Sequence, residues 1–191
     1  MERIMSHLGG YIADGDANTY TPDIWGWLLV EYDIKSVLDI GCGTGVNMKW
    51  WKDMGCEVLG VEGHPDAISR RKCEPVIKHD YTAGPFQTDR VFDLCLCTEF
   101  VEHVEQVHEC NWFRTMQCAK RVLMSHALPG QGGYHHVNEQ TADYWVKRFS
   151  EEGFSHNSLA SQIMQSTVSR KPSRWGRNTL MLFENKKQCE S

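Results

Sequence analysis

Two carboxylates and a histidine lie close together near the middle of the sequence, in a pattern suited to binding a metal ion. Glu99, Glu102 and His103 form a Glu-x-x-Glu-His sequence, and this i, i+3, i+4 spacing places all three on one face of a helical turn. Two carboxylates and an imidazole around one cavity suit a divalent cation such as Mg²⁺ or Mn²⁺. A fourth ligand would come from the segment Tyr134–Thr141, which contains two adjacent histidines. A cation held there would lower the pKa of a bound hydroxyl and prepare it to act as a nucleophile.

The histidines also allow chemistry without a metal. A neutral imidazole accepts a proton as a general base, and three histidines are candidates for this role: His103, His126 and His136. His135 and His136 have a structural interpretation as well, as residues that stabilise their loop. The residues alone leave these alternatives open.

A glycine-rich turn is the candidate binding site for a cofactor. The sequence Asp39-Ile40-Gly41-Cys42-Gly43-Thr44-Gly45 follows the apolar strand Ser36–Ile40. Ligands of α/β sheets bind at the carboxyl ends of the strands, and glycines let a ligand approach the backbone closely. Glu62 ends the second strand, where an acidic side chain accepts hydrogen bonds from ribose hydroxyls. Asp80 ends the third strand, where an adenine amino group would lie. The predicted cofactor-binding residues are Asp39, Gly41, Gly43, Gly45, Glu62 and Asp80.

Strands and helices alternate along the chain, which is typical of a mostly parallel sheet with helices on both faces. Five strands are predicted in this alternating part: Ser36–Ile40, Glu57–Glu62, Pro75–Lys78, Val91–Cys97 and Arg121–Ser125. A helix from about Val104 to Ala119 is expected after the fourth strand. Phe154–Leu159 and Thr179–Phe183 are predicted as the last two strands, joined by a polar loop without a helix. They are expected to form an antiparallel pair at one edge of a seven-stranded sheet.

The composition fits one soluble domain. The chain has 191 residues, of which 41% are hydrophobic and 24% charged, as in ordinary globular proteins. A net charge of −5 argues against a general nucleic-acid-binding protein, which usually has a basic surface. No apolar run approaches the length of a membrane span, and the N-terminus lacks the layout of a signal peptide. We therefore expect a cytoplasmic protein without a membrane partner, while its oligomeric state is not predicted.

These motifs together resemble a known enzyme family. Val37–Gly45 is similar to the first motif of the class I S-adenosylmethionine (SAM)-dependent methyltransferases, and Glu62, Asp80 and Phe92–Leu94 fall at the second, third and fourth motifs. The resemblance extends over most of the chain and implies a Rossmann-like α/β fold, SAM as the cofactor and methyl transfer as the activity. It also implies that the glycine turn contacts the methionine part of SAM and that the acid after the second strand holds the ribose. A nicotinamide-binding domain would need Gly-x-Gly-x-x-Gly, but the sixth position is Val46.

The candidate metal site resembles that of a narrower group. The 3′-terminal 2′-O-methyltransferases of small RNAs hold a metal on a vicinal diol with Glu-x-x-Glu-His and a histidine of a His-x-x-Glu-x-Thr stretch, which residues 136–141 match. The resemblance implies Glu99, Glu102, His103 and His136 as metal ligands, with His103, His136 and Glu99 in catalytic roles. This chain is shorter and acidic, and it has no recognisable RNA-binding domain. An RNA 3′ end is therefore the less favoured acceptor, and a sugar, a nucleotide or another small molecule with adjacent hydroxyls fits the residues as well.

Two other functions stay open. One is a metal-free small-molecule N- or O-methyltransferase with a histidine base, and the other is a non-catalytic SAM-binding partner subunit. We expect the whole chain, residues 1–191, to form one domain in which residues 1–35 act as a cap or lid. A basic loop, Ser169–Arg177, is a candidate for binding a phosphorylated acceptor.

Overall fold

The computed structural model describes residues 6–8, 10, 14–169 and 176–189. Seven strands form one sheet in the order β3-β2-β1-β4-β5-β7-β6. The strands are β1 Ser36–Ile40, β2 Glu57–Glu62, β3 Val76–Lys78, β4 Phe92–Cys97, β5 Ala119–Met124, β6 Phe154–His156 and β7 Met181–Asn185. β1 lies at the centre between β2 and β4, so the sheet order reverses on either side of the glycine turn that follows β1.

The strand directions confirm the predicted sheet. β1 is parallel to β2 and β4, with Asp39 opposite Gly60 and Leu96. β3 and β5 extend the parallel part on the two sides. β7 runs antiparallel to both β5 and β6, so the antiparallel pair lies at the β6 edge.

Helices cover both faces of the sheet, as the alternating pattern predicted. They are α1 Pro22–Glu31, α2 Val46–Asp53, α3 Pro65–Ser69, α4 Glu109–Met116, α5 Ala142–Glu151, α6 Ser158–Ser169 and α7 Lys186–Cys189. Side chains of α1, α2 and α6 belong to one buried cluster, and side chains of α4 and α5 belong to the other. Successive strand residues point to opposite faces, so Val37 joins the first cluster and Leu38 joins the second.

The prediction of two last strands without an intervening helix was wrong. The strand predicted as Phe154–Leu159 ends at His156, and α6 follows it. Asn157 accepts a hydrogen bond from the backbone N–H of Ala160 at 3.0 Å, which is the contact of a helix N-cap. Buried residues at four-residue intervals then hold the helix on the sheet: Ala160, Met164 and Val168.

The helix predicted from about Val104 begins only at Glu109. Val101–His103 and Gln106–His108 form two short 3₁₀ turns instead. Val104 between them is extended, with φ −112° and ψ 123°. Val101 and Val104 both pack into the buried cluster beneath α4 and α5. The 3₁₀ turn at Val101–His103, followed by the extended Val104, directs both valine side chains into this cluster. Glu99, Glu102 and His103 therefore do not share one α-helical face.

The sequence carried no apolar run long enough for a membrane span, and within the described ranges no helix has the length and apolar character to cross one.

Candidate active site

A cleft of about 280 Å³ opens at the carboxyl ends of the parallel strands. Five of the predicted cofactor residues line it: Asp39, Gly41, Gly43, Glu62 and Asp80. Gly45, the sixth, is not among the lining residues, and it begins α2 as the N-cap with φ 74°. The backbone of Gly41 packs closely against Phe100, because a Cβ at Gly41 would be 2.5 Å from the Phe100 ring.

Glu62 fixes the glycine turn. One carboxylate oxygen accepts the backbone N–H of Gly43 at 2.7 Å, and the other accepts that of His64 at 2.7 Å. The side chain is 8% exposed. Since each carboxylate oxygen has more than one lone pair, these bonds leave acceptor capacity toward the cleft.

Asp39 is the most strongly perturbed carboxylate of the cleft. It is 3% exposed, and its Oδ2 finds no hydrogen-bond partner among the described residues. Burial, and after it the charge of Glu62, raises the pKa of Asp39 to about 8. An acceptor atom with no partner, aimed at a cleft, is suited to a ligand that donates hydrogen bonds or carries positive charge.

Residues of the N-terminal segment lie along the same cleft. His7, Gly15 and Asp16 are among its lining residues. His7 Nε2 is 2.8 Å from the Asp80 carboxylate, which also accepts hydrogen bonds from the N–H and hydroxyl of Thr82. The described part of this segment is thus placed as a cap would be, and the lid function stays a prediction. Residues 1–5, 9 and 11–13 lie outside the described residues, as do residues 170–175 of the basic loop.

Three of the four predicted metal ligands come together beside the cleft. One ligand atom each from Glu102, His103 and His136 lies within 4.8 Å of the other two. Both oxygens of the fully buried Glu102 carboxylate, and Nδ1 of His103, have no hydrogen-bond partner within the described ranges. Burial, and then the charge of Glu99, raises the pKa of Glu102 well above its usual range. Uncompensated buried carboxylate oxygens are costly, and a cation would compensate them.

Glu99, the fourth predicted ligand, is held differently. Its φ is +51°, and Ser125 at the end of β5 clamps it. The Ser125 hydroxyl donates to the Glu99 carboxylate at 2.7 Å and accepts the Glu99 N–H at 2.8 Å. Glu99 is not part of the three-residue group, although it lines the cleft with His103. Its role as a ligand stays a prediction, and the geometry leaves it close enough for its charge to act on Glu102.

His136 is oriented by its own loop. Its Nδ1 lies 3.1 Å from Oε1 of Glu139, and its ring meets that of His103 edge to face, with 5.0 Å between the centroids. The loop is fastened to the turn below, since the N–H groups of Val137 and Asn138 both donate to the backbone carbonyl of Glu102. These bonds bring the histidine from after β5 onto the turn after β4.

The other two candidate histidines are not part of the three-residue group. His126 is 1% exposed, and its Nδ1 lies 3.1 Å from the carbonyl of Ala127. It does not line the cleft, and its role as a general base stays a prediction. His135 has a left-handed backbone with φ 53°, and its role as a flanking residue stays a prediction too.

Several residues of the site carried no signal in the sequence. Ser125 donates a hydrogen bond to the Glu99 carboxylate, and His7 contacts the Asp80 carboxylate from 73 residues away in the sequence. Glu109 is 2% exposed and accepts hydrogen bonds from Asn138, Tyr144 and Arg148 at 2.8–3.1 Å, which anchors the loop of His136 from behind. Glu139 belongs to the His-x-x-Glu-x-Thr stretch, which marks it as part of a motif without assigning it a task.

The sequence matches relatives over its central part. Residues 38–127 match the family model described as a methyltransferase domain. A ubiquinone biosynthesis O-methyltransferase of Schizosaccharomyces pombe is 35% identical over a stretch that covers 38% of this chain and 30% of that protein. The match thus spans less than a third of the length of this relative.

Solved structures share the fold. A SAM-dependent methyltransferase from Mesorhizobium loti has a TM-score of 0.62 at 17% identity, covering 91% of this chain and 100% of that one. The methyltransferase domain of a bacterial CtHen1 has a TM-score of 0.55 at 17% identity, covering 71% of this chain and 85% of that one. The central part of the chain is thus similar to a methyltransferase domain, and its sheet has the fold of the solved SAM-dependent methyltransferases.

Proposed function

We propose that this protein transfers the methyl group of SAM to a hydroxyl of a small molecule with two adjacent hydroxyls, with a divalent cation held by Glu102, His103 and His136. The observation that carries the proposal is the convergence of three ligand atoms within 4.8 Å beside the cofactor cleft. A sugar, a nucleotide or an aromatic diol has the required pair of oxygens.

The cleft residues fit SAM. Gly41 and Gly43, with φ 69° and 54°, form a backbone cradle in which a Cβ at Gly41 would overlap Phe100. Glu62 would hold the ribose while it keeps the turn in place, and Asp80 would lie toward the adenine. SAM supplies an activated methyl group on a positively charged sulfur. The orphaned oxygen of Asp39 gives the cleft an acceptor suited to such a cation.

The second cluster fits a divalent cation. Glu102 offers two buried oxygens without partners among the described residues, and His103 offers a buried ring nitrogen in the same state. Two imidazoles with one carboxylate favour a borderline ion, so Mn²⁺ fits better than Mg²⁺. A bound divalent cation lowers the pKa of a coordinated hydroxyl by several units and orients its oxygen. Three protein ligands leave positions open for both oxygens of a diol.

The contacts around His103 support an acceptor beside the cofactor. His103 belongs to the three-residue group and also lines the cofactor cleft. An acceptor bound at this group would therefore lie next to the cofactor. Glu99, which lines the cleft and is held by Ser125, would accept a hydrogen bond from the second hydroxyl.

The metal-free alternative has one observation in its favour and one against it. Burial, and then the charge of His136, lowers the pKa of His103 to about 4, so its imidazole is neutral at pH 7 and faces the cleft. A general base works best when its pKa is near the operating pH, and a pKa of about 4 makes His103 a weak one. A neutral imidazole with an available lone pair is the state that metal ligation requires.

Metal titration and a transfer assay on the same variants test the proposal. Mn²⁺ binding is measured by calorimetry, and methyl transfer from labelled SAM is measured with a catechol and with a ribonucleoside, before and after chelation. Glu102→Gln should weaken Mn²⁺ binding by more than about 100-fold, because even outer-shell partners are worth about 10–100-fold. SAM affinity should stay unchanged, since Glu102 does not line the cleft. Glu105→Gln, an exposed carboxylate three positions on, is the matched control.

Full transfer activity in the chelated protein would overturn the metal part and leave His103 as the base. Absence of transfer to both diols, with SAM bound, would overturn the acceptor class.

A further inference from the structure

One carboxylate, that of Glu139, holds three groups around the candidate metal site. Oε1 lies 3.1 Å from Nδ1 of His136 and accepts the N–H of Gly132 at 2.6 Å. Oε2 accepts the N–H of Gly130 at 2.7 Å. The side chain is 16% exposed, so these bonds are only partly in contact with solvent. Three bonds to one carboxylate in a loop of this length fix its position.

The first bond decides which nitrogen of His136 is available. An ionised carboxylate is only an acceptor. Oε1 of Glu139, which faces Nδ1 of His136, already accepts the backbone N–H of Gly132, so it acts as an acceptor toward His136 as well. The proton therefore lies on Nδ1, and Nε2 keeps its lone pair.

A glycine allows the loop to pack closely on His136. A Cβ on Gly133 would overlap the face of the His136 ring, since it would lie 2.7 Å from both Cδ2 and Cε1, and Gly133 has φ 153°. A side chain at this position would displace the ring. Glu139 and Gly133, which both contact the ring, thus belong to the same short loop.

The other two bonds extend the effect of Glu139 to the rest of the loop. Gly130 and Gly132 have φ 80° and 68°, left-handed conformations that a hydrogen-bond acceptor stabilises. The loop continues into Tyr134, whose ring lies 3.3 Å from the Cβ position of Gly10, a residue of the cofactor cleft. Its shape therefore bears on both the metal group and the mouth of the cleft.

We propose that Glu139 is a positioning residue that sets the Nδ1–H tautomer of His136 and holds the loop of residues 130–133 around it. The proposal rests on the proposed function for one point only, namely that the freed Nε2 binds a metal. A carboxylate on the distal nitrogen of a metal-binding histidine also raises the basicity of the ligand.

The tautomer is measured directly by long-range ¹⁵N–¹H correlation of histidine-labelled protein without metal. In the unmodified protein His136 should be present as the Nδ1–H tautomer. In Glu139→Ala the Nε2–H tautomer should gain population, because the acceptor at Nδ1 is gone. Mn²⁺ affinity, measured by calorimetry, should fall by about 10–100-fold, and Glu105→Gln should change neither quantity.

A double-mutant cycle separates positioning from a general loss of structure. In a His136→Ala background, Glu139→Ala should cost no further Mn²⁺ affinity, because Glu139 acts through that histidine. A further tenfold loss would overturn the positioning role. If Glu139→Ala fails to fold, Glu139→Gln replaces it, and the tautomer of the unmodified protein still decides.

The two proposals fail separately. An Nε2–H tautomer in the unmodified protein, or an unchanged tautomer in Glu139→Ala, overturns the role of Glu139. An Nδ1–H tautomer with no Mn²⁺ binding supports Glu139 as the orienting residue and overturns the metal part of the proposed function.

Discussion

The perturbed pKa of Asp39 predicts an unusual dependence of stability on pH. Burial and the nearby Glu62 raise this pKa from 3.8 to about 8. Between these values the unfolded chain has released the proton and the native protein retains it. Stability therefore falls as the pH rises through this range, since stability rises with pH only where the unfolded state binds more protons. At about 1.4 kcal/mol per pH unit, the full effect on the free energy of unfolding is roughly 6 kcal/mol.

Asp39→Asn removes this effect with little change in shape. The stability of the variant should approach that of the unmodified protein only below the unfolded-state pKa of 3.8, where Asp39 is protonated in both states. Near pH 8 it should be more stable by a few kcal/mol, of the order of the effect above. Urea unfolding at half-unit steps between pH 5 and 8.5, without cofactor, measures the difference. The contribution of Glu102 to the slope is common to both proteins and cancels.

Asp93 provides a control of opposite sign. Burial acts to raise the pKa of Asp93. Hydrogen bonds from Lys120, the backbone N–H of Lys35 and Ser36 outweigh burial and hold this pKa below its usual value. Asp93→Asn should therefore destabilise the protein at neutral pH, by an amount that shrinks as the pH falls through the native pKa. Parallel stability curves for Asp39→Asn and the unmodified protein would refute the reasoning about Asp39.

Three further substitutions test other contacts. Gly41→Ala should lower SAM affinity at least tenfold in calorimetry, because the added Cβ would overlap the ring of Phe100 and because φ at this position is 69°. Unchanged affinity would mean that the turn does not bind SAM. Ser125→Ala should lower kcat about tenfold with SAM affinity unchanged, because Glu99 loses both of its hydrogen bonds with the Ser125 hydroxyl. An equal fall in SAM affinity would contradict a role confined to the acceptor side. Arg148→Met should lower the free energy of unfolding, measured in urea, by roughly 3 kcal/mol, because it removes the cation beside the buried Glu109. A loss below about 1 kcal/mol, as for exposed ion pairs, would mean that the Arg148–Glu109 pair is effectively solvated.

The sequence predicted the sheet well because its signals are local. Short apolar runs mark the parallel strands, and the strands of Ser36–Ile40 and Glu57–Glu62 agree with the structure residue for residue. α6 escaped prediction because its buried residues are small or widely spaced: Ala160, Met164 and Val168. Serine, threonine and glutamine fill all but one of the positions between them, where Ile163 stands, so the pattern predicts a polar loop unless Asn157 is recognised as a helix N-cap.

The site was predicted in part for a related reason. The motif named Glu102, His103 and His136, and the fold brings these together across 33 residues. The spacing rule for a helix failed at Glu99, because the chain there is left-handed and then enters a 3₁₀ turn. Residue spacing predicts a shared face only where the backbone is regular. The supporting contacts of Ser125, and of Glu109 behind the loop, join distant parts of the chain and leave no local pattern.

The candidate site draws on two pairs of strands. The glycine turn after β1 and the acid after β2 form the cleft, while the three candidate metal ligands lie on the turn after β4 and the loop after β5. Of these three, His103 lines the cleft, and Glu102 and His136 do not. A substitution in the loop of Glu139 should therefore act mainly on the acceptor side, and it reaches the cleft through Tyr134, whose ring lies against Gly10.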